Sequence, residues 1–123
     1  MQTINTNNAP AAIGPYSQAK LVNGFLYTSG QLPIDPKTNT MVEGIAAQAK
    51  MSCENIQAIL NEAGYSFDDV VKTTCYLSDM ANFASFNEIY AQYFTNNPAR
   101  SCFAVKELPK NSLVEIEVVA YRD

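Results

Sequence analysis

The sequence contains no histidine and no tryptophan. Without an imidazole there is no Ser-His or Cys-His nucleophile pair, no His-ligated zinc or haem, and no general base of the type enzymes use most often. Any catalysis must draw on carboxylate, Tyr, Lys, Arg or backbone groups. Basic residues are scarce as well: eight Lys and Arg against twelve Asp and Glu leave a net charge of -4. That is the wrong sign for a domain that grips phosphate backbones, so nucleic acid is not an expected partner. Cys53, Cys75 and Cys102 are odd in number, widely spaced and form no CxxC; neither a disulfide framework nor a thiolate zinc site is suggested. None of the five glycines makes a GxGxxG or GxxxxGK loop, so nucleotide binding has no support, and no cofactor or metal is expected. No apolar run approaches membrane-spanning length, and no basic start followed by an apolar stretch opens the chain. The expectation is a soluble, cytoplasmic protein with no membrane partner.

What remains is 123 residues, 47% of them hydrophobic, even in composition from end to end. This is one domain, 1–123, without repeats. Residues 16–22 and 25–32 read as strands joined by Asn23-Gly24, a dipeptide suited to the positive φ angles of a type I′ hairpin. A two-residue loop pairs Val22 with Phe25, Lys20 with Tyr27, Gln18 with Ser29 and Tyr16 with Gln31. Residues 33–44 read as a loop. Ala49, Cys53, Ile56, Leu60 and Ala63 recur at helical spacing from Ile45, with Gln48, Glu54, Gln57 and Glu62 on the other side and Gly64 as the cap. Val71, Thr73, Cys75 and Leu77 alternate along a third strand to Ser78. A second helix starts near Asp79 or Asn82, carries Phe83, Phe86, Tyr90, Tyr93 and Phe94, and ends at Asn97-Pro98. Strands at 101–107 and 113–121 complete the order ββαβαββ. Grouped hairpins with two helices predict an α+β fold, a mixed sheet with both helices on one face. The opposite face would carry Phe25, Tyr27, Tyr76 and Tyr121, too apolar for water, so self-association through it is expected.

Several residues are candidates for chemistry. Arg100 stands where a loop enters a strand, and its planar fork suits a carboxylate; a surface or intrachain ion pair is the alternative. Glu115 and Glu117 alternate against Val114, Ile116 and Val118 and so point to the helix-free face, as a general base or as solvated or ion-paired groups. Tyr16 and Ser29 are near-diagonal on the hairpin and either converge on a small ligand or pack. Asn87 points into the aromatic stripe, bracing a loop or touching a ligand. Cys102 would be a nucleophile only with a thiolate-stabilising neighbour, for which Arg100 on the same strand face is the sole candidate; otherwise it reads as an inert thiol with a useful backbone N–H.

Ala9-Pro10-Ala11-Ala12-Ile13-Gly14-Pro15-Tyr16-Ser17-Gln18, Thr28-Ser29-Gly30-Gln31-Leu32-Pro33, Pro98-Ala99-Arg100-Ser101-Cys102 and Val114-Glu115-Ile116-Glu117 together resemble the RidA/YjgF family of enamine/imine deaminases. The resemblance runs from about Ala9 to Tyr121. It implies a chorismate-mutase-like α+β fold, a homotrimer with ligand clefts between subunits, and hydrolysis of 2-aminoacrylate or 2-aminocrotonate to a 2-keto acid and ammonia without cofactor or metal. By position, Arg100 corresponds to the arginine that grips the substrate carboxylate, aided by the Cys102 N–H. Glu115 corresponds to the acid that orients water, and Tyr16, Ser29 and Gly30 to residues lining the cleft. Asn87 corresponds to an asparagine near the site. Ala19, Phe103-Ala104 and the short Thr95-Asn96-Asn97 connection depart from the family pattern, and the short connection bears on substrate size. The alternative from another class is a non-catalytic module that binds small carboxylates and regulates a partner; a ribonuclease is disfavoured by charge and by the missing histidine.

Overall fold

The computed structural model describes residues 1–123. Its strands are β1 (Gln2–Ile4), β2 (Ala19–Val22), β3 (Phe25–Thr28), β4 (Ile34–Asp35), β5 (Thr40–Met41), β6 (Val70–Leu77), β7 (Ala99–Ala104) and β8 (Val114–Tyr121). Its helices are α1 (Ile45–Ala63) and α2 (Phe83–Tyr93). Six strands form one sheet in the order β1-β2-β3-β8-β6-β7, with only β6 and β7 parallel, and β4 and β5 make a separate small hairpin. The fold is α+β with a mixed sheet. It adds to the expected order a first strand, β1, and the β4–β5 hairpin inside the loop 33–44.

The hairpin register is the expected one where β2 and β3 run: Val22 pairs with Phe25 and Lys20 with Tyr27. Asn23 (φ 50°) and Gly24 (φ 83°) hold the left-handed backbone that a type I′ turn requires. A Cβ on Gly24 would collide with the backbone oxygen of Arg122. The strands stop short of the predicted ends. Ser29 N–H still donates to the Gln18 carbonyl at 2.9 Å, but Tyr16 and Gln31 do not pair. The Tyr16 N–H turns back to Gly14, and Gln31 crosses to Ile116 on β8.

Both helices cover one face of the sheet. Leu26, Cys75, Leu77, Val114, Ile116, Val118 and Ala120 meet Ala49, Cys53, Ile56, Ile59 and Leu60 of α1 and Phe86 and Tyr90 of α2 in one core. Each fully buried side chain of Leu or Ile size contributes about 1.5–3 kcal/mol to folding. Gly64 closes α1 in the left-handed conformation, as expected. Gln48, expected on the outer side of α1, is buried instead. Its amide donates to Val42 O at 3.0 Å and its Oε1 accepts from Leu113 N at 2.7 Å. Asn55 is buried on the same helix and donates to Leu32 and Ile34 carbonyls, both at 3.0 Å, which straps the connection to β4. Asp79 caps a short 3₁₀ turn ahead of α2, and α2 ends at Tyr93, a turn earlier than Asn97-Pro98 suggested.

On β6 the alternation holds for Thr73, Cys75 and Leu77, while a bulge between Val70 and Lys72 turns Val71 outward and gives its inward place to Val70. The strand expected at 101–107 runs from Ala99 to Ala104 and lies at the sheet edge. The helix-free face carries Phe25, Tyr27, Phe103 and Tyr121, each between 38% and 48% exposed. Phe25 and Tyr121 touch, with ring centroids 4.6 Å apart.

Candidate functional site

Arg100 sits on edge strand β7 in register with Thr73 of β6. Thr73 faces the helices, and Arg100 shares that side. Its guanidinium donates to Asn87 Oδ1 at 2.7 Å and lies 4.7 Å from the Tyr90 ring centroid and 5.4 Å from that of Phe83. Cation–π contact of this kind is worth about 0.5–2 kcal/mol and fixes the plane of the fork. Tyr90 is itself anchored. Its hydroxyl shares a 2.8 Å hydrogen bond with Thr73 Oγ1 in the buried layer, and burial holds its pKa above the ordinary phenol value. The ion pairs of the chain are Lys50–Glu54 and Arg122–Asp69; Arg100 has none. A fixed, half-buried cation without a counter-ion therefore borders a cavity of about 630 Å³ lined by Asn87, Tyr90, Phe94, Pro98 and Arg100.

Glu115 belongs to the other face. It lies opposite Tyr76 on β6, and its neighbour Glu117 accepts a 3.0 Å hydrogen bond from the Tyr76 hydroxyl. Half-burial, and then the nearby Glu117 charge, raise the Glu115 pKa above the usual carboxylate range. Because Gln31 pairs with Ile116, Gly30 is delivered against the Glu115 side chain. A Cβ at Gly30 would fall 2.7 Å from Glu115 Cδ and 2.9 Å from its Oε2. Position 30 is thus a glycine by space: the carboxyl group occupies the volume a side chain would need. Ser29 spends its hydroxyl on the Ser17 carbonyl at 2.6 Å, tying down the segment that leads to Tyr16. Tyr16 stands 52% exposed at the rim.

The predicted residues fall into two groups. Arg100 and Asn87 form one, with Cys102 two residues along the same strand face. Glu115, Gly30, Ser29 and Tyr16 lie on the other side of the molecule's sheet or at its β3 end. Arg100 and Glu115 differ by two strand spacings across and three residues along, about 14 Å between Cα atoms, and point to opposite faces. One small substrate cannot touch both within one chain. Phe83, Tyr90 and Thr73 build the seat of the guanidinium, although the sequence marks them only as helix packing and strand alternation. Their helical spacing gave no sign that an arginine from β7 would lie across the rings.

The arrangement defines an α+β protein with a counter-ion-free guanidinium on one flank and a pKa-raised carboxylate on the other. A family model described as Endoribonuclease L-PSP matches residues 6–122, and the chain belongs to this family, that of YjgF, RidA and RutC. It is 47% identical to the 2-iminobutanoate/2-iminopropanoate deaminase of Salmonella typhimurium, over 98% of each chain. It is 51% identical to a Lactococcus lactis protein that bears a regulator's name, AldR, over 98% of this chain and 97% of that one. Other relatives of similar identity carry the RutC family name alone. The solved structure of Escherichia coli TdcF with bound serine superposes with a TM-score of 0.97 at 40% identity, covering both chains completely.

Proposed function

We propose that this protein hydrolyses reactive 2-imino and enamino acids, 2-aminoacrylate and 2-aminocrotonate among them, to 2-keto acids and ammonia. That is the activity of a 2-iminobutanoate/2-iminopropanoate deaminase, a hydrolase acting on C–N bonds. The observation that carries the reading is the Arg100 guanidinium, oriented by Asn87, Tyr90 and Phe83 yet unpaired with any carboxylate of its own chain. Such a fork is suited to a substrate carboxylate. The near-identity of fold to TdcF, solved with an amino acid bound, supports a small amino-acid-like ligand.

The residues act as follows. Arg100 clasps the carboxylate, helped by the backbone N–H of Cys102. Glu115, ionised above its raised pKa, orients a water toward the imine carbon; Tyr16, Ser29 and Gly30 shape the cleft around it. Attack yields a tetrahedral carbinolamine, whose nitrogen takes a proton and leaves as ammonia. Because Arg100 and Glu115 cannot meet in one chain, the site is completed between copies in a homotrimer, with the exposed Phe25, Tyr27 and Tyr121 face buried in the assembly. No helix is long and apolar enough to cross a membrane, and a cytoplasmic location beside enzymes that release such imines suits the chemistry.

The name AldR among close relatives favours one further reading, a carboxylate-binding regulator that uses the same guanidinium without turnover. Generating 2-aminoacrylate in situ with a serine dehydratase and following pyruvate decides between them. Acceleration that Arg100→Ala abolishes supports the deaminase. Ligand binding with no acceleration by the wild-type protein refutes it and leaves the regulator. The ribonuclease implied by the family's description has no support in the net charge of -4 or in the residues at hand.

A further inference from the structure

Two of the three cysteines are cross-strand neighbours. Cys75 on β6 and Cys102 on β7 are in register in the parallel pair, so their side chains leave the sheet on the same, helix-facing side. In-register partners on neighbouring strands have Cα atoms about 4.8 Å apart, within the span that a disulfide bridges. Their surroundings differ. Cys75 is completely buried, whereas Cys102 is only partly buried on the edge strand, two residues from Arg100 on the same face.

We propose that Cys102 and Cys75 form a peroxide-oxidisable dithiol, with Cys102 the thiol attacked and Cys75 the thiol that resolves it into an intrachain disulfide. This inference is independent of the imine chemistry. In the first step the Cys102 thiolate attacks one oxygen of a hydroperoxide. The O–O bond breaks, an S–O bond forms, and the leaving oxygen departs as hydroxide or alkoxide and takes a proton. Sulfur is oxidised to sulfenic acid and the peroxide is reduced. In the second step the Cys75 sulfur, giving up its proton, attacks the Cys102 sulfenic sulfur. An S–S bond forms, the S–O bond breaks, and water leaves.

The asymmetry of the pair supports this order. The neighbouring Cys75 thiol, and then the charge of Arg100, lower the Cys102 pKa below the ordinary thiol value, which favours its thiolate. The same thiol contact and burial push Cys75 strongly upward, which keeps it protonated and inert until a sulfenic acid stands beside it. In-register Cβ atoms stand farther apart than a disulfide holds them, by about 1 Å. Strand β7 is bonded on one side only and can close that distance. Cys53 is the internal control, buried in α1 and pushed well above the ordinary thiol value by that burial.

The test is treatment of the intact protein with hydrogen peroxide, alkylation under denaturing conditions and peptide mapping. The expected result is loss of two alkylatable thiols per chain, restored by dithiothreitol, and a crosslinked peptide joining Cys75 to Cys102. Cys75→Ser stops at a Cys102 sulfenic acid that dimedone traps, and Cys75→Ala gives the same product should the buried serine unfold the chain. The wild-type crosslink map decides by itself. An unreactive Cys102, its conversion to sulfinic acid with no crosslink, a disulfide between chains, or equal consumption of Cys53 would each overturn the proposal.

Discussion

Replacing Gly30 with alanine separates the geometry of Glu115 from the stability of the fold. The new methyl carbon would stand 2.7 Å from Glu115 Cδ and 2.9 Å from Oε2, and ordinary contact needs roughly 0.7–1 Å more. The neighbour that must give way is the far end of a flexible side chain, so relief comes from a χ rotation rather than from backbone. An off-rotamer side chain costs about 0.5–1.5 kcal/mol, which lowers Tm by roughly 2–9 °C in a domain of this size. The same displacement matters far more to chemistry. A 1 Å misplacement of a positioned group costs about 100-fold in rate, and here the displaced atoms belong to the carboxyl proposed to aim the water. The expected outcome in the dehydratase-coupled assay is a kcat reduced roughly 100-fold with KM nearly unchanged, because the Arg100 seat lies on the other face. A Gly30→Ala protein with kcat within about threefold of wild type would refute the placement of Glu115 at the reacting carbon.

Further outcomes follow from the same geometry. Arg100→Lys keeps the charge but loses the fork and the stack on Tyr90, and kcat/KM should fall roughly 100-fold or more; steady-state kinetics on the purified variant measure it. Arg100→Ala and Glu115→Gln, each inactive alone, should recover about a quarter of wild-type activity when refolded together in equal amounts, because one cleft in four pairs an intact arginine with an intact acid; no recovery places both residues in one chain's site. The acid limb of the kcat–pH profile should lie above the ordinary carboxylate range and move to lower pH in Glu117→Gln, since removing that charge relieves the repulsion that raises Glu115. The folded state binds this proton more tightly than the unfolded chain, so stability falls as pH rises from the ordinary carboxylate value through the raised one. Glu115→Gln should then melt higher than wild type at neutral pH. Tyr90→Phe leaves Thr73 Oγ1 without its 2.8 Å partner and should cost about 1–3 kcal/mol in denaturant unfolding, with Thr73→Val added to it recovering part of the loss.

Features specified by neighbouring residues were legible in the sequence. Asn23-Gly24 dictates its turn because both φ angles must be positive within two residues, and Gly64 ends α1 for a similarly local reason. The face of β8 was legible because strict alternation over eight residues leaves no choice of side. Features decided across the fold were not. Gln48 looks like a solvent residue until the Leu113 N–H and the Val42 carbonyl are brought to it. Val71 follows the apolar pattern, yet a bulge that no pattern announces turns it out. β1 is three residues long and owes its existence to pairing with β2, whose partner residues lie some seventeen positions away. Tyr16 and Gln31 failed to pair because each had a competing partner, Gly14 and Ile116, that hairpin arithmetic does not weigh.

The candidate site shows the same division more sharply. Sequence pattern placed Glu115 on the helix-free side, but it was silent on Arg100, whose side was settled by its register with Thr73 and by the rings of α2. The outcome is a chain with two electrostatically unfinished places. A guanidinium is held rigid with no anion, and a carboxyl group is crowded by Gly30, half-buried and repelled by Glu117, so that ionising it disfavours the folded chain. Neither arrangement helps a monomer fold. Proteins depart from favourable local electrostatics mainly where function compensates, and these two departures are complementary in charge. An anionic small molecule meeting the cation of one copy and the acid-held water of the next would satisfy both at once. What each chain leaves unpaired, as much as the apolar face it exposes, favours the proposed shared cleft.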